Sequence, residues 1–534
     1  MKTIWRGHIA AVLLALFTGG CGQPDRWSSL AKVGYDDVPL RAEEMIEVPA
    51  DLQPRPAAAG EGPLAFPDGG VLELGVEQAI VFALRNNRDL RVQQLSPVII
   101  GTFEAVERGV YDPELFADLE YARQEGSDTD RFGALDADAE EGYTATLGVR
   151  RQLPTGTSVE AAVEQSRSDD FNDPTEQTAR AGISITQSLL RGLGPAVNLV
   201  NIRQAELETA ISVHELRGVI EALLADTEIA YWEYVLAGQK IEIVERSLAI
   251  ARQQLDEIEQ RIEVGTLPRI EAAAANAQVA LHEQALIDAH SDLTASRLRL
   301  LRLINADEGR GLDLEIRALS GPAINPMPIH DLADRLQLAG QARSDLAEAR
   351  LRLRQHRLET IATRNGLLPR LDLFIALGKT GYAESFSDSF RNLDDSTVDL
   401  TAGIRLSQRL DNRQARAVDL AARATRQQAR EAVANLEQIV ALDVRLAVNE
   451  AERARQQIDA TRATRTLQEK VLEAEQARFE VGASTALLVA QAQRDLVASS
   501  IDEVEAVVNY RKALAALYLV EGSLPERRGV GFGK

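Results

Sequence analysis

The sequence predicts a mainly α-helical fold with a β part suited to a membrane, built from one duplicated module, and three observations carry that reading. The 534 residues are only 4% aromatic and rich in Ala, Arg, Glu, Leu and Gln, the composition of long helices. Four markers recur in the same order more than 200 residues apart. Between them lie short segments that alternate apolar and polar residues. A formal charge of −22 excludes the basic footprint of a nucleic-acid binder, and a single cysteine excludes an intrachain disulfide and a cysteine-built zinc site. No cofactor or metal constellation is apparent. The six histidines are never spaced as ligands, and His282 and His290 read as solvated-face residues of a helix.

Taking the elements in order, residues 1–20 read as a secretory signal: Lys2 and Arg6, then an apolar run from Ile9 to Phe17, then Thr18-Gly19-Gly20. Small residues directly before the sole cysteine resemble the bacterial lipoprotein signal, which implies cleavage before Cys21 and its acylation. Thr18 stands where that signal usually has Leu, and Gly22 after the cysteine fits outer-membrane rather than inner-membrane retention. Three acyl chains anchor an N-terminus stably, because two already suffice. Residues 21–70 contain Pro24, Pro39, Pro49, Pro54, Pro56, Pro63 and Pro67 and read as an extended tether.

The first module spans 71–306 and the second 329–521, with 307–328 connecting them and 522–534 as a tail. Arg88-Asp89-Leu90 and Pro113 recur 256 residues on as Ser344-Asp345-Leu346 and Pro369. Ile185-Thr186-Gln187-Ser188-Leu189 recurs at 221 as Leu406-Ser407-Gln408-Arg409-Leu410, and Arg261 to Thr266 recurs at 217 as Arg478 to Ala483. Such periods are too long for a solenoid. Helices are expected over 76–110, 196–264, 271–306, 329–366, 413–481 and 483–520. The two long ones measure about 103 Å each at 1.5 Å per residue, and the shorter ones about half of that. Two short helices stacked end to end therefore match one long one. Four columns follow, with the segment carrying Pro322, Pro326 and Pro328 crossing at mid-height. Apolar positions at three- and four-residue steps, such as Leu436, Ile439, Leu442 and Leu446, suit lateral helix packing.

Alternation marks the strands. Leu115, Ala117, Leu119 and Tyr121 share one face, as do Leu371, Leu373, Ile375 and Leu377; Ile183 to Leu189 and Val398 to Leu406 alternate in the same way. About ten alternating residues are what a lipid-facing barrel strand requires. Four strands do not close a barrel, so the chain must associate with copies of itself. Tyr143 to Val149 and Val159 to Val163, joined through Leu153-Pro154-Thr155-Gly156-Thr157, read as an added hairpin, leaving open four or six strands per chain.

This arrangement resembles the TolC-like outer membrane factor family over about 71–521. The resemblance is carried by Leu72 to Asn87 entering the first helix, Gly366-Leu367-Leu368-Pro369 entering a strand, Gln187 to Gly194 leaving one, and the two Val-Gly-Thr/Ala tips. It implies a homotrimer in the outer-membrane lipid, closing a twelve-stranded β-barrel continuous with a periplasmic α-helical barrel. Such a trimer is the exit duct of a tripartite efflux pump or a type I secretion system. It also implies a periplasmic adaptor docked on the tips, here Val264, Gly265, Thr266, Leu267, Val481, Gly482, Ala483, Ser484 and Thr485, and an inner-membrane transporter supplying energy. Glycine suits the tips because reversing between antiparallel helices needs positive φ. Relatives carry acidic residues after the second tip. This chain has Leu488 and Gln491 there, and Glu271 is the nearest acidic candidate for the periplasmic entrance.

An enzymatic role has little support. Gly378-Lys379-Thr380 mimics the end of a phosphate loop, yet Leu373 stands where its first Gly must be and the segment reads as a strand. The competing function class is a non-channel periplasmic scaffold lipoprotein built from the same columns, and the alternating strands separate the two.

Overall fold

The computed structural model describes residues 53, 55–56, 71–129, 135–169, 176–304, 312–322, 324–394 and 398–531; the signal and Cys21 lie outside the described residues. The chain runs from β1 (Arg55–Pro56) and β2 (Val71–Leu74) into α1 (Val76–Asn86) and α2 (Arg88–Gly109). Four strands follow, β3 (Glu114–Thr129), β4 (Leu135–Gln152), β5 (Thr157–Asp169) and β6 (Glu176–Ser188). The short α3 (Pro195–Asn198) then leads into α4 (Val200–Glu263), and α5 (Ile270–Ile304) returns. β7 (Glu315–Ala318) opens the second half, followed by α6 (Leu332–Ala342), α7 (Ser344–Asn365), β8 (Arg370–Ala383), α8 (Phe386–Arg391) and β9 (Asp399–Ser407). The chain closes with α9 (Arg413–Glu480), α10 (Ala486–Val520), α11 (Leu524–Arg527) and β10 (Val530–Gly531). The α8 turn between β8 and β9 has no counterpart in the sequence reading.

The helices form a row of four columns. α4, with 64 residues, and α9, with 68, are about 96 and 102 Å long at 1.5 Å per residue. α4 packs on α2 and α7 at one end and on α5 and α10 at the other, and α9 packs on α7 and α10. Ion pairs mark both levels: Arg108–Glu206 and Arg352–Glu215, each 3.0 Å, near the sheet, and Arg252–Glu283 at 2.6 Å and Lys512–Glu233 at 2.8 Å further along. α2 with α5 therefore makes the first column and α7 with α10 the third.

Where continuous helices are expected over 76–110 and 329–366, both are broken, at Asn87 and Arg343. These residues lie 256 apart in the sequence and share one extended conformation, φ −60°, ψ 121° and φ −62°, ψ 124°. Each is held by bonds that a continuous helix does not offer. The Asn87 side chain accepts from Leu90 N–H at 2.9 Å and donates to the Leu303 carbonyl at 2.9 Å, capping α2. The Arg343 guanidinium reaches Asp345 at 2.6 Å and Asp443 at 3.1 Å. The expected 196–264 helix is likewise interrupted, at Leu199.

The largest core lies at these breaks. Leu72, Leu74, Ile80, Phe82 and Leu90 pack against Tyr231, Trp232 and Ile316, beside the parallel β2–β7 pair. The fully buried Tyr231 hydroxyl accepts from Ser320 N–H at 2.9 Å. The proline-bearing segment crosses α9 and α10: Ile324 and Ile329 pack on Ala451, Ala454 and Tyr510, and Arg511 donates to the Pro322 carbonyl at 3.3 Å. The expected C-terminal tail is no tail over its described part. Leu524 and Val530 are buried in the core, Arg528 donates to Glu228 at 2.9 Å, Arg217 reaches Glu526 at 2.8 Å, and β10 pairs with β1. Apolar burial on α4 outweighs the pull of solvent on its charges.

β3, β4, β5, β6, β8 and β9 form one six-stranded sheet in that order, antiparallel throughout. The chain supplies six strands to this sheet, which decides between the four and the six that the alternation left open. The added hairpin is β4–β5, its turn closed by Gly156 at φ +84°. A repeated contact ties the sheet to the duplication. Phe116 lies over Gly148 and Arg150 stacks on Phe116 at 5.3 Å; Phe374 lies over Gly403 and Arg405 stacks on Phe374 at 5.3 Å. A Cβ at Gly148 or Gly403 would stand 2.6 Å from the ring. The ring covers the glycine backbone, pinning register across the pair. Gly403→Val is expected to cost about 1–3 kcal/mol by overpacking. Its loss should be non-additive with that of Phe374→Ala in thermal unfolding followed by circular dichroism, because both remove one contact.

Candidate functional site

The sheet has two chemically distinct faces, fixed by register. Leu115, Ala117 and Leu119 lie beside Val149, Leu147 and Ala145, and these beside Ala161, Val163 and Gln165. The face continues through Ala181, Ile183 and Ile185 to Leu373, Ile375 and Leu377, and ends on Leu400, Ala402 and Ile404. Large members of this band are open to solvent: Leu119 is 87% exposed and Ile404 67%. Tyr121 and Tyr143, with ring centroids 4.9 Å apart, border the band at one end. The opposite face is polar and acidic, with Glu114, Asp118, Glu120, Glu160, Glu164 and Asp399 outnumbering Arg150, Arg180 and Arg405. An apolar belt edged by tyrosines on one face and charge on the other is the arrangement of a strand wall between lipid and water. Among the described residues no helix is long and apolar enough to cross a membrane.

At the far end of the columns the two helical hairpins turn. Gly265 and Gly482 have φ +79° and +74°, and a Cβ at either would touch nothing, so glycine is required there by its backbone alone. Thr266 N–H bonds the Arg261 carbonyl at 2.9 Å and Ala483 N–H the Arg478 carbonyl at 2.8 Å, the closing bond of a helix C-terminus with a left-handed cap. Val264 and Val481 project outward, 74% and 79% exposed. Leu267 instead turns inward and joins Ile258, Ala275, Phe479 and Ala486, so one cluster ties the two tips together.

One comparison decides the family. The model of the outer membrane efflux protein family matches residues 156–306 and 336–523, more than half of the chain in two copies. The chain belongs to the outer membrane efflux protein family. Among solved structures, the outer-membrane channel OprN aligns at 17% identity and TM-score 0.63, covering 84% of this chain and 90% of that one. VceC of Vibrio cholerae aligns at 15%, TM-score 0.62, 84% and 96%, and the open state of MtrE of Neisseria gonorrhoeae at 18%, TM-score 0.60, 90% and 99%. At these identities the likeness establishes the TolC-like fold. No curated protein matches the chain.

Within this efflux-protein fold Glu271, Ser484, Thr485, Leu488 and Gln491 have definite places. Glu271 accepts from the Ala486 backbone N–H at 3.0 Å, so it caps α10 of the other hairpin, where a carboxylate is stabilised by the helix N-terminus. Thr485 caps the same helix, accepting from Leu488 N–H at 3.4 Å, and Ser484 donates to Glu475 at 2.8 Å. Leu488 is 46% exposed and Gln491 is exposed. Neither the Glu271–Ala486 bond nor the packing of Phe479 against Ile258 and Ala275 is legible locally, because both join segments more than 200 residues apart.

His290 is exposed, but His282 is not a solvated-face residue: it is 6% exposed between α4 and α5 and bonds Gln278 at 2.8 Å and Ser247 at 3.2 Å. The polar partners Gln278 and Ser247 make that burial tolerable. Burial holds its pKa below the ordinary 6.5, so the unfolded chain takes up the proton first as pH falls. The stability that neutral His282 permits is full above pH 6.5 and lost below it. Melting temperature should therefore fall between pH 7.5 and 5.5, and His282→Gln should flatten that fall. Gly265→Ala and Gly482→Ala should each cost about 1–2 kcal/mol of left-handed strain, read as faster amide exchange confined to the tips.

Proposed function

We propose that three copies of this chain form an outer-membrane exit duct, with the apolar belt in the bilayer and the helical columns crossing the periplasm. The duct serves a tripartite efflux pump or a type I secretion system. The observation that carries this reading is the belt itself: it runs over six strands, backed by a charged face, on a sheet whose first and last strands each have one open edge among the described residues. In a bilayer those edges must be paired, and copies of the chain pair them. A periplasmic scaffold has no use for such a belt.

In this reading acylated Cys21 anchors the N-terminus. A periplasmic adaptor docks on the outward Val264 and Val481, and an inner-membrane transporter supplies the energy. Glu271 acts at the entrance as the cap that holds α10, and the carboxylates of the polar face favour cationic solutes.

Size-exclusion chromatography with light scattering on the detergent-extracted protein is expected to give a trimer, with palmitate label on the parent and none on Cys21→Ser. In planar bilayers, purified trimers should conduct with a reversal potential showing cation preference in a KCl gradient. A soluble monomer, or trimers that insert and never conduct even with Glu271→Ala loosening the tips, would withdraw the duct. Gly482→Pro should leave trimer and insertion intact while abolishing export, because it remodels only the tip.

A further inference from the structure

The six-stranded sheet and the four-column row belong to one continuous wall, so their widths can be compared. Four helices at about 9 Å between axes span about 36 Å of arc. Six strands at about 4.8 Å, tilted about 40° to the wall axis, span about 38 Å, whereas four strands span only about 25 Å. The edges coincide as well. α2 lies in the first helical column and runs into β3, one sheet edge. β9, the other edge, runs into α9, the last column.

The added hairpin is built as wall. Its outward residues Ala145, Leu147, Val159, Ala161 and Val163 continue the belt from β3 to β6 without a gap. The belt also steps along the strands. Leu147, central on β4, pairs with Val163, the last apolar residue of Val159, Ala161 and Val163 before the polar Gln165, and Ile183, central on β6, pairs with Leu377, the last apolar residue of the β8 run before Lys379. That stagger is what tilted strands in a closed barrel require. Since β3 and β9 are antiparallel by position in an even-stranded sheet, β9 of one copy meets β3 of the next with the same antiparallel pairing as inside the chain.

We infer that the outer-membrane part is an eighteen-stranded barrel, whose bore equals that of the helical duct. The inference rests on the trimeric reading above and deepens it. The backbone radius is about 18 Å, against about 12 Å for twelve strands at the same tilt. The membrane segment then adds no constriction of its own, and any solute that passes the helical duct, bulky ones included, leaves freely.

Electron cryomicroscopy of the full-length protein in lipid nanodiscs tests this directly. Eighteen strands around a three-fold axis are expected. Twelve strands, with β4–β5 folded off the wall, would overturn the inference and leave the duct standing, whereas an assembly without three-fold closure would overturn the duct reading beneath it. A second measurement needs only mild substitutions. Ala161→Cys and Ala162→Cys sit side by side on β5 with opposite faces, and the parent protein is the blank. In membranes, a water-soluble maleimide should label Ala162→Cys at least tenfold faster than Ala161→Cys. Equal labelling of both would place the hairpin outside the wall and sink the proposal.

Discussion

The backbone of an edge strand has N–H and C=O groups with nowhere to go, and in hydrocarbon each unpaired group costs several kcal/mol. Everything in this chain is arranged around that constraint. The sheet is antiparallel and even-stranded, its apolar belt is continuous, and its two open edges stand over the two ends of the helical row. Inside the chain the facing edges of β3, β4, β5, β6, β8 and β9 satisfy each other. Among the described residues the outer edges of β3 and β9 have no strand beside them, and α2 and α9 leave apolar residues such as Val92, Phe103, Leu420 and Leu446 in the open. In the proposed trimer such ends find their neighbours.

The duplication supplies the scaffold for that row. Asn87 and Arg343 break their helices at matching points, and the core of Tyr231, Trp232 and the β2–β7 pair fills the level where the short helices meet. Different chemistry serves the same purpose in the two halves: an asparagine cap in the first, an arginine bridged to Asp345 and Asp443 in the second. The Phe–Gly–Arg contact repeats more faithfully. It joins β3 to β4 and β8 to β9, so in packing terms β4 stands to β3 as β9 stands to β8, although the chain leaves β4 for another hairpin and leaves β9 for a long helix.

At the other end the two tips are not independent hairpins. Leu267, Phe479 and Ala486 share one small cluster, and Glu271 of the first hairpin caps a helix of the second. Few apolar contacts hold this end compared with the core at mid-height, so it is the part of the molecule with least to lose by opening. The outward valines beside the two glycines are left for whatever meets the tips, while the glycines themselves answer only to backbone geometry.

Much of this was legible in the residues alone. Periodicity separates helix from strand, because apolar residues at three and four steps and at two steps cannot serve the same element. The recurrence of markers gives the duplication, and Gly265 and Gly482 give the turns. The lengths of the long helices follow from the absence of breakers. Tertiary structure decided what no local signal contains. Asn87 and Arg343 look like ordinary helical residues until Leu303 and Asp443 arrive to bind them, and His282 looks solvated until Ser247 faces it. That Glu271 caps α10 shows only when Ala486 presents its N–H. The strand number was undecided by sequence for the same reason: alternation fixes which face a residue takes, but only register says that β4 and β5 stand in the wall between β3 and β6.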